Sequence, residues 1–138
     1  MTTQVRRPSI GTLSPARCEE LLAQHVVGRV GFQAADWPLV LPVNYRFQAG
    51  SVIFRTSAVG PLAALHERTR VAFEVDDIDE EGAEGWSVLV RGFARGVTSD
   101  HQMARLWATG PQPWAPGSRT LFIAIEPTSI SGRIVQGP

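Results

Sequence analysis

Residues 39–56 read LVLPVNYRFQAGSVIFRT, and this stretch decides the fold class of the chain. Its two halves, Leu39–Phe47 and Ser51–Thr56, are rich in β-branched and aromatic residues and alternate between two faces, as strands do. Residues 48–50, Gln-Ala-Gly, predict a tight turn between them. Pro42 cannot donate a hydrogen bond to a neighbouring strand, so we expect an open sheet edge or a bulge at that position.

The same patterns predict a mainly β domain of about six strands with three short helices. The remaining strands are expected at 26–32, 70–76, 86–97 and 120–126, with a possible short addition at 129–135. The helices are expected at 14–25, from Gly60-Pro61 onward, and at 99–109. Short connections favour antiparallel pairing, and closure into a barrel would remove exposed sheet edges. We expect a flexible arm at 1–12 and one domain over 13–138.

The composition excludes several function classes. The 138 residues include 13 basic and 13 acidic ones, and this neutral balance argues against broad binding to nucleic acids or anionic membranes. Every basic residue is Arg, which removes Lys-based Schiff-base and Walker-type phosphate chemistry. Cys18 is the single cysteine and the histidines are widely spaced, so we expect no disulfide and no metal site. No signal peptide or long apolar segment is evident, and a cytoplasmic protein is expected.

The first candidate site is the end of the hairpin. Asn44 carries donor and acceptor groups beside the stretch of backbone that Pro42 frees, which would suit the edge of a planar heterocycle. Arg55 and Thr56 lie where a strand ends and a short helix begins, a combination that can bind an anion. From the spacing alone, an ordinary hairpin with a solvated Arg55 and with Asn44 in a turn is the simpler interpretation.

Two further segments carry residues that could bind a ligand. Trp86 begins a strand that contains Arg91, so the pair could stack on a flat ligand and bind an anion, although a core strand with an aromatic anchor is the simpler interpretation. The acidic residues 76–81 do not have the spacing of a calcium-binding loop, and a solvated loop is expected over 77–85.

The chain resembles the pyridoxamine 5′-phosphate oxidase-like family of flavin-binding split barrels. The resemblance runs from Leu13 to Ile134 and rests on eight segments in order: GRVGF, PVNYRF, VIFRT, PLAAL, VAFEVD, GWSVLVRG, PWAPG and ISGRI. It implies a six-stranded split barrel that forms a homodimer with two flavin mononucleotide (FMN) sites between the subunits. The cofactor-binding positions that it implies are Pro42, Val43, Asn44, Tyr45, Arg55, Thr56, Ser57, Leu62, Trp86 and Ser87. Of these, Trp86 and Ser87 are often contributed by the other subunit.

The resemblance implies an FMN-dependent oxidoreductase in which the flavin carries the chemistry. The substrate is unknown, and no side chain is singled out as a catalytic acid or base. One departure matters: relatives commonly have Gly-Ser-Lys-Leu where this chain has Val59-Gly60-Pro61-Leu62. Loss of two phosphate contacts leaves open a non-catalytic module that binds or senses flavin, haem or another flat ligand. Haem and deazaflavin are therefore alternative cofactors.

A homodimer is also expected from size. A barrel of this length offers little depth to enclose a tricyclic ring, and ligand pockets form readily where two subunits meet.

Overall fold

The computed structural model describes residues 5–138, which form a closed antiparallel barrel with two α-helices and one 3₁₀ helix. The strands are β1 (Ser9–Thr12), β2 (Val27–Ala34), β3 (Trp37–Gln48), β4 (Ser51–Thr56), β5 (Thr69–Asp79), β6 (Glu84–Gly96) and β7 (Leu121–Gln136). The helices are α1 (Pro15–Gln24), the 3₁₀ helix Pro61–His66 and α2 (Asp100–Thr109).

Six strands close the barrel, in the order β7-β4-β3-β2-β5-β6, and β6 pairs back onto β7. The predicted mainly β, six-stranded antiparallel barrel is therefore confirmed. The seventh strand, β1, pairs with the end of β7 outside the ring, from Ser9 opposite Gln136 to Thr12 opposite Arg133. The predicted arm at 1–12 thus needs a correction for residues 9–12, whose backbone groups pair with β7; residues 1–4 lie outside the described part.

Two segments that were expected to be loops, 127–128 and most of 77–85, belong to strands instead. Residues 120–126 and 129–135 belong to one long strand, β7, with a register irregularity opposite Arg91 and Gly92. A Cβ at Gly92 would overlap the carbonyl of Glu126, so this position requires glycine, in line with the predicted bulge. The acidic stretch 77–85 is mostly paired strand, and only the turn between Asp79 and Glu84 remains outside the ladder.

The two faces of β4 belong to two separate apolar clusters. Val52 and Phe54 point into the barrel, where they pack with the main core. Ile53 points outward and packs in a second cluster beneath Leu106 of α2, together with Phe122 of β7. Helix α2 therefore covers the outer face of β4 and β7, and this arrangement places it beside the end of β4.

Helix α1 begins as its sequence predicts. Ser14 is the N-cap, and its hydroxyl accepts a hydrogen bond from the backbone N–H of Arg17 at 3.1 Å. The buried face of the helix includes Cys18, which is fully buried as a packed small residue. None of the helices in residues 5–138 is long and apolar enough to cross a lipid bilayer.

Candidate functional site

A cleft of about 280 Å³ opens where β3 and β4 separate. Its walls come from β3, the end of β4, the start of the 3₁₀ helix and the loop 110–120 that leads into β7. Seven of the ten predicted cofactor-binding residues line it: Pro42, Val43, Asn44, Arg55, Thr56, Ser57 and Leu62. The structure therefore brings together residues that lie on three separate elements.

The open edge of β3 creates the long wall of this cleft. Along one edge β3 pairs with β2 as far as Asn44, whereas its pairing with β4 begins only at Tyr45. Within residues 5–138 no strand pairs with β3 before Tyr45 on the β4 side, so the backbone around Pro42 is free of a ladder there. The prediction of an open edge at Pro42 is confirmed.

Asn44 holds the loop that forms the opposite wall. Its side-chain oxygen accepts a hydrogen bond from the backbone N–H of Trp114 at 2.8 Å. Pro113 and Ala115, on either side of Trp114, both line the cleft. Asn44 is therefore part of a strand and ties the loop to it, rather than lying in a turn.

Arg55 reaches the cleft from the outer face of β4. Its Nε donates a hydrogen bond to the backbone carbonyl of Arg119 at 3.1 Å, and its guanidinium carbon lies 4.2 Å from the ring centroid of Trp107. Burial, and then the positive charge of Arg119, lower the pKa of Arg55 from its ordinary value. An arginine remains charged despite such a shift, so the guanidinium is a partly desolvated cation.

Arg119 is a cleft residue that the sequence did not indicate. It lines the cleft beside Arg55, and its Nη2 donates to the carbonyl of Pro116 at 3.4 Å. The pairing of Arg55 with Phe122 on β7 brings the residues before β7 to the end of β4. No local pattern predicts this neighbourhood, because the β4–β7 pairing joins segments far apart in the chain.

The cleft is electropositive because its two cations have no acidic partner. Among the described residues, no carboxylate oxygen lies within 4.0 Å of Arg55 or Arg119, whereas Arg29 and Arg95 each form ion pairs. The buried Thr56 also lines the cleft and adds a hydroxyl group. Two unneutralised guanidinium groups and a hydroxyl suit a phosphate or another oxyanion.

Ser57 and the start of the short helix differ from what the sequence predicts for a phosphate site. The hydroxyl of Ser57 donates to the carbonyl of Val59 and accepts from its N–H at 3.0 Å, so a local turn already uses it. The short helix is a six-residue 3₁₀ helix that begins at Pro61, which has no N–H to offer. Gly60 has φ +104°, a conformation that favours glycine. The first residue of the helix therefore offers no donor to an anion.

Tyr45 does not present its side chain to the cleft. It is 1% exposed, and its hydroxyl donates to the carbonyl of Leu22 in α1 at 2.7 Å. Its ring packs edge-on against Phe73 in the core, and burial raises the pKa of its hydroxyl. The alternation of β3 turns Val43 and Tyr45 inward and Asn44 outward, so the side chain of Tyr45 belongs to the core. The predicted contact of Tyr45 with the cofactor stays a prediction and would involve its backbone.

Trp86 and Ser87 lie on β6 and line a different cleft, of about 510 Å³, with Glu74 and Asp76. The ring of Trp86 packs edge-on against His25, 4.9 Å between centroids. Within one chain these two residues do not join Arg55. Their predicted contribution from a second subunit stays a prediction.

The closed antiparallel barrel, with its cationic cleft at an open strand edge, places the protein in the class of split barrels. The chain belongs to the pyridoxamine 5′-phosphate oxidase family, whose model matches residues 14–134. It is 36% identical over 121 residues to the uncharacterized protein Rv0080 of Mycobacterium tuberculosis, a match that covers 83% of this chain and 79% of the relative.

Two solved structures show the same fold. The FAD binding protein from Mycobacterium smegmatis has 31% sequence identity and a TM-score of 0.75, with 90% of this chain and 98% of the other covered. A conserved protein of unknown function from Corynebacterium diphtheriae, DIP1874, has 28% identity and a TM-score of 0.75, with 90% and 96% covered. The family is thus established by sequence, and the barrel by comparison of structures.

Proposed function

We propose that this protein binds a flavin nucleotide in the cleft between β3 and loop 110–120, with its phosphate between Arg55 and Arg119. The observation that carries the proposal is the pair of guanidinium groups without an acidic partner in the described chain. A nucleotide phosphate would supply the missing negative charge. The flat ring would lie along the open edge of β3 near Pro42 and Val43, where backbone groups are free to pair with its polar edge.

FMN is the nucleotide that the resemblance implies, and FAD is the second candidate. The relative from Mycobacterium smegmatis, at 31% identity, is described as an FAD binding protein. A diphosphate would make use of both arginines, whereas a single phosphate could be held by Arg55 with Thr56. The released cofactor distinguishes the two by mass.

The proposed activity is flavin-dependent oxidoreduction of a small molecule. A bound flavin supplies the transfer of a hydride or of single electrons. The cleft lining contains no His, Asp, Glu, Cys, Lys or Tyr within the described chain, so no side chain there is suited to acid–base work near neutral pH. The residues of this chain would bind and orient the cofactor, and the side chains that surround it would limit access of water.

A second copy of the chain is the proposed partner. The cleft, at about 280 Å³, is small for a tricyclic ring with a phosphate-bearing chain, since ligand pockets are commonly roughly 300–1,000 Å³. A homodimer would cover the ring and could bring Trp86 and Ser87 of β6 towards it. This arrangement would explain why those residues lie apart from Arg55 within one chain.

A non-catalytic flavin-binding module is the alternative, and the start of the 3₁₀ helix favours it. Pro61 stands where relatives commonly carry a Lys, and it offers neither a charge nor an N–H to a phosphate. Haem and deazaflavin remain candidate ligands of such a module.

The experiment is to purify the protein, record its absorption spectrum and identify any small molecule that copurifies by mass spectrometry. The apo protein is then titrated with FMN, FAD and riboflavin, and its mass is measured by sedimentation. We expect flavin absorption, tighter binding of the nucleotides than of riboflavin, and a dimer. Reduction by a nicotinamide donor would favour the enzyme over the module. A Soret band, or equal affinity for riboflavin and FMN, would contradict the proposal.

A further inference from the structure

We propose that Trp107 of α2 is a positioning residue, which holds the guanidinium of Arg55 in the orientation that binds an anion. The inference rests on the proposed function, because the anion is the phosphate of the nucleotide. Trp107 is absent from the cleft lining, so it would act through Arg55 and not by touching the ligand.

The guanidinium group of Arg55 lies against two aromatic rings. The guanidinium carbon lies 4.2 Å above the ring of Trp107 and 5.5 Å from the ring of Phe122. Both distances are within the range of a cation–π contact. Trp107 and Phe122 are themselves packed edge-on at 5.0 Å, so the two rings form one aromatic support for the cation.

Arg55 keeps two of its donor nitrogens available for a ligand. Its Nε is used by the carbonyl of Arg119, and that bond with the Trp107 contact fixes the plane of the group from two sides. Neither Nη nitrogen donates a hydrogen bond to any acceptor in residues 5–138. A side chain held by its Nε and its π face thus keeps both Nη groups for a bidentate contact with an oxyanion.

An aromatic support for Arg55 is preferable to an acidic one. Two other arginines on the barrel are held by carboxylates: Arg95 donates to Glu126 at 2.7 Å, and Arg29 to Glu74 at 3.0 Å. A carboxylate beside Arg55 would neutralise the charge that the phosphate needs. A ring face and a backbone carbonyl orient the guanidinium while leaving its charge unpaired. Trp107 is half exposed, so a modest effect on affinity is expected.

The test compares Trp107→Leu with Trp107→Phe, which keeps an aromatic face, and with Arg105→Ala, which alters an exposed side chain on the same helix. Each variant is titrated with FMN, inorganic pyrophosphate and riboflavin. We expect Trp107→Leu to weaken FMN and pyrophosphate binding roughly threefold to tenfold and to leave riboflavin unchanged. Trp107→Phe should recover most of the loss, and Arg105→Ala should match the wild type. In an Arg55→Ala background, Trp107→Leu should have no additional effect on anion binding.

An NMR measurement of the Arg55 side chain separates this inference from the proposed function. Stacking on Trp107 predicts a ring-current shift of its Nε–H signal that is lost in Trp107→Leu, with or without ligand. FMN binding that is unchanged in Trp107→Leu overturns the inference and leaves the proposed function intact. Pyrophosphate binding that depends on Trp107, in a protein that ignores flavins, overturns the proposed function alone. Failure to bind any of these anions overturns both.

Discussion

The side-chain oxygen of Asn44 accepts a hydrogen bond from the backbone N–H of Trp114 at 2.8 Å, across 70 positions of sequence. Through this bond a residue of strand β3 holds loop 110–120 in place. Three residues of that loop line the cleft: Pro113, Ala115 and Arg119. Trp114 itself is 74% exposed, so this bond, and not burial of the ring, holds the middle of the loop. Arg55 holds the end of the same loop through the carbonyl of Arg119, so two side-chain contacts set the width of the cleft.

Asn44→Ala should loosen loop 110–120 without unfolding the barrel. The buried core does not include Asn44, and loss of one hydrogen bond costs about 1 kcal/mol. Hydrogen–deuterium exchange should increase at Trp114 and its neighbours, and FMN affinity should fall. Gln48→Ala is the matched control, since Gln48 holds the carbonyl of Thr109 at 3.0 Å just before that loop. Unchanged exchange at Trp114 in Asn44→Ala would show that other contacts hold the loop.

Arg55→Ala should weaken FMN binding far more than Arg105→Ala does. A charge-assisted hydrogen bond contributes about 1.5–3 kcal/mol, so a loss of roughly tenfold to a hundredfold is expected. Arg105 is exposed on α2 and does not line this cleft, so its removal should leave the affinity unchanged. Fluorescence titration with FMN and with riboflavin measures both effects. Equal affinities of the two variants would place the phosphate elsewhere.

Tyr45→Phe should lower stability and leave flavin affinity unchanged. The substitution removes the bond from the Tyr45 hydroxyl to the carbonyl of Leu22 and leaves that buried carbonyl without its partner. The expected decrease in the free energy of unfolding is about 1–3 kcal/mol. Urea unfolding provides the stability, and FMN titration provides the affinity. A large change in affinity with unchanged stability would instead support a direct role of Tyr45 in cofactor binding.

The titration of Glu74 should lower the free energy of unfolding as the pH rises towards neutrality. Burial, and then the neighbouring Asp76, raise the pKa of Glu74 from 4.5 to about 7, against the lowering effect of Arg29. Between these values the folded state holds a proton that the unfolded state has released, so the stabilisation present below 4.5 is lost as the pH rises through 7.

Glu74→Gln removes this titration while keeping a side chain of similar size. Relative to the wild type, its free energy of unfolding should therefore rise between about pH 5 and about pH 8. Urea unfolding at several pH values measures the difference. Glu126→Gln is the control, because it removes an exposed carboxylate that forms an ion pair with Arg95 at 2.7 Å. A difference between Glu74→Gln and wild type that is independent of pH would contradict the prediction.

Most of the barrel could be predicted from local patterns. Strand β4 has the predicted bounds, Ser51–Thr56, since its alternation is regular and a glycine-containing turn precedes it. The N-cap at Ser14 and the open edge at Pro42 follow from the chemistry of single residues. The length of β7 could not be predicted, because Pro127 and the polar residues after it interrupt the apolar pattern at the bulge opposite Gly92. In the folded chain, β7 pairs with β6 both before and after the bulge, so it continues as one strand.

Some residues of the candidate site could likewise be predicted from local sequence, whereas others could not. Arg55, Thr56 and Asn44 are candidates from sequence because a polar cluster on a hairpin is a local signal, although their spacing alone favours an ordinary hairpin. The involvement of Arg119 and Trp107 was decided by tertiary structure: β7 pairs with β4 and α2 covers the outer face of that pair. Strand partners distant in sequence leave no periodicity to detect, since their contacts arise only when the barrel closes. The chain alone therefore determined which segments are strands and which polar residues share a hairpin. Closure of the barrel decided which cations and rings surround Arg55.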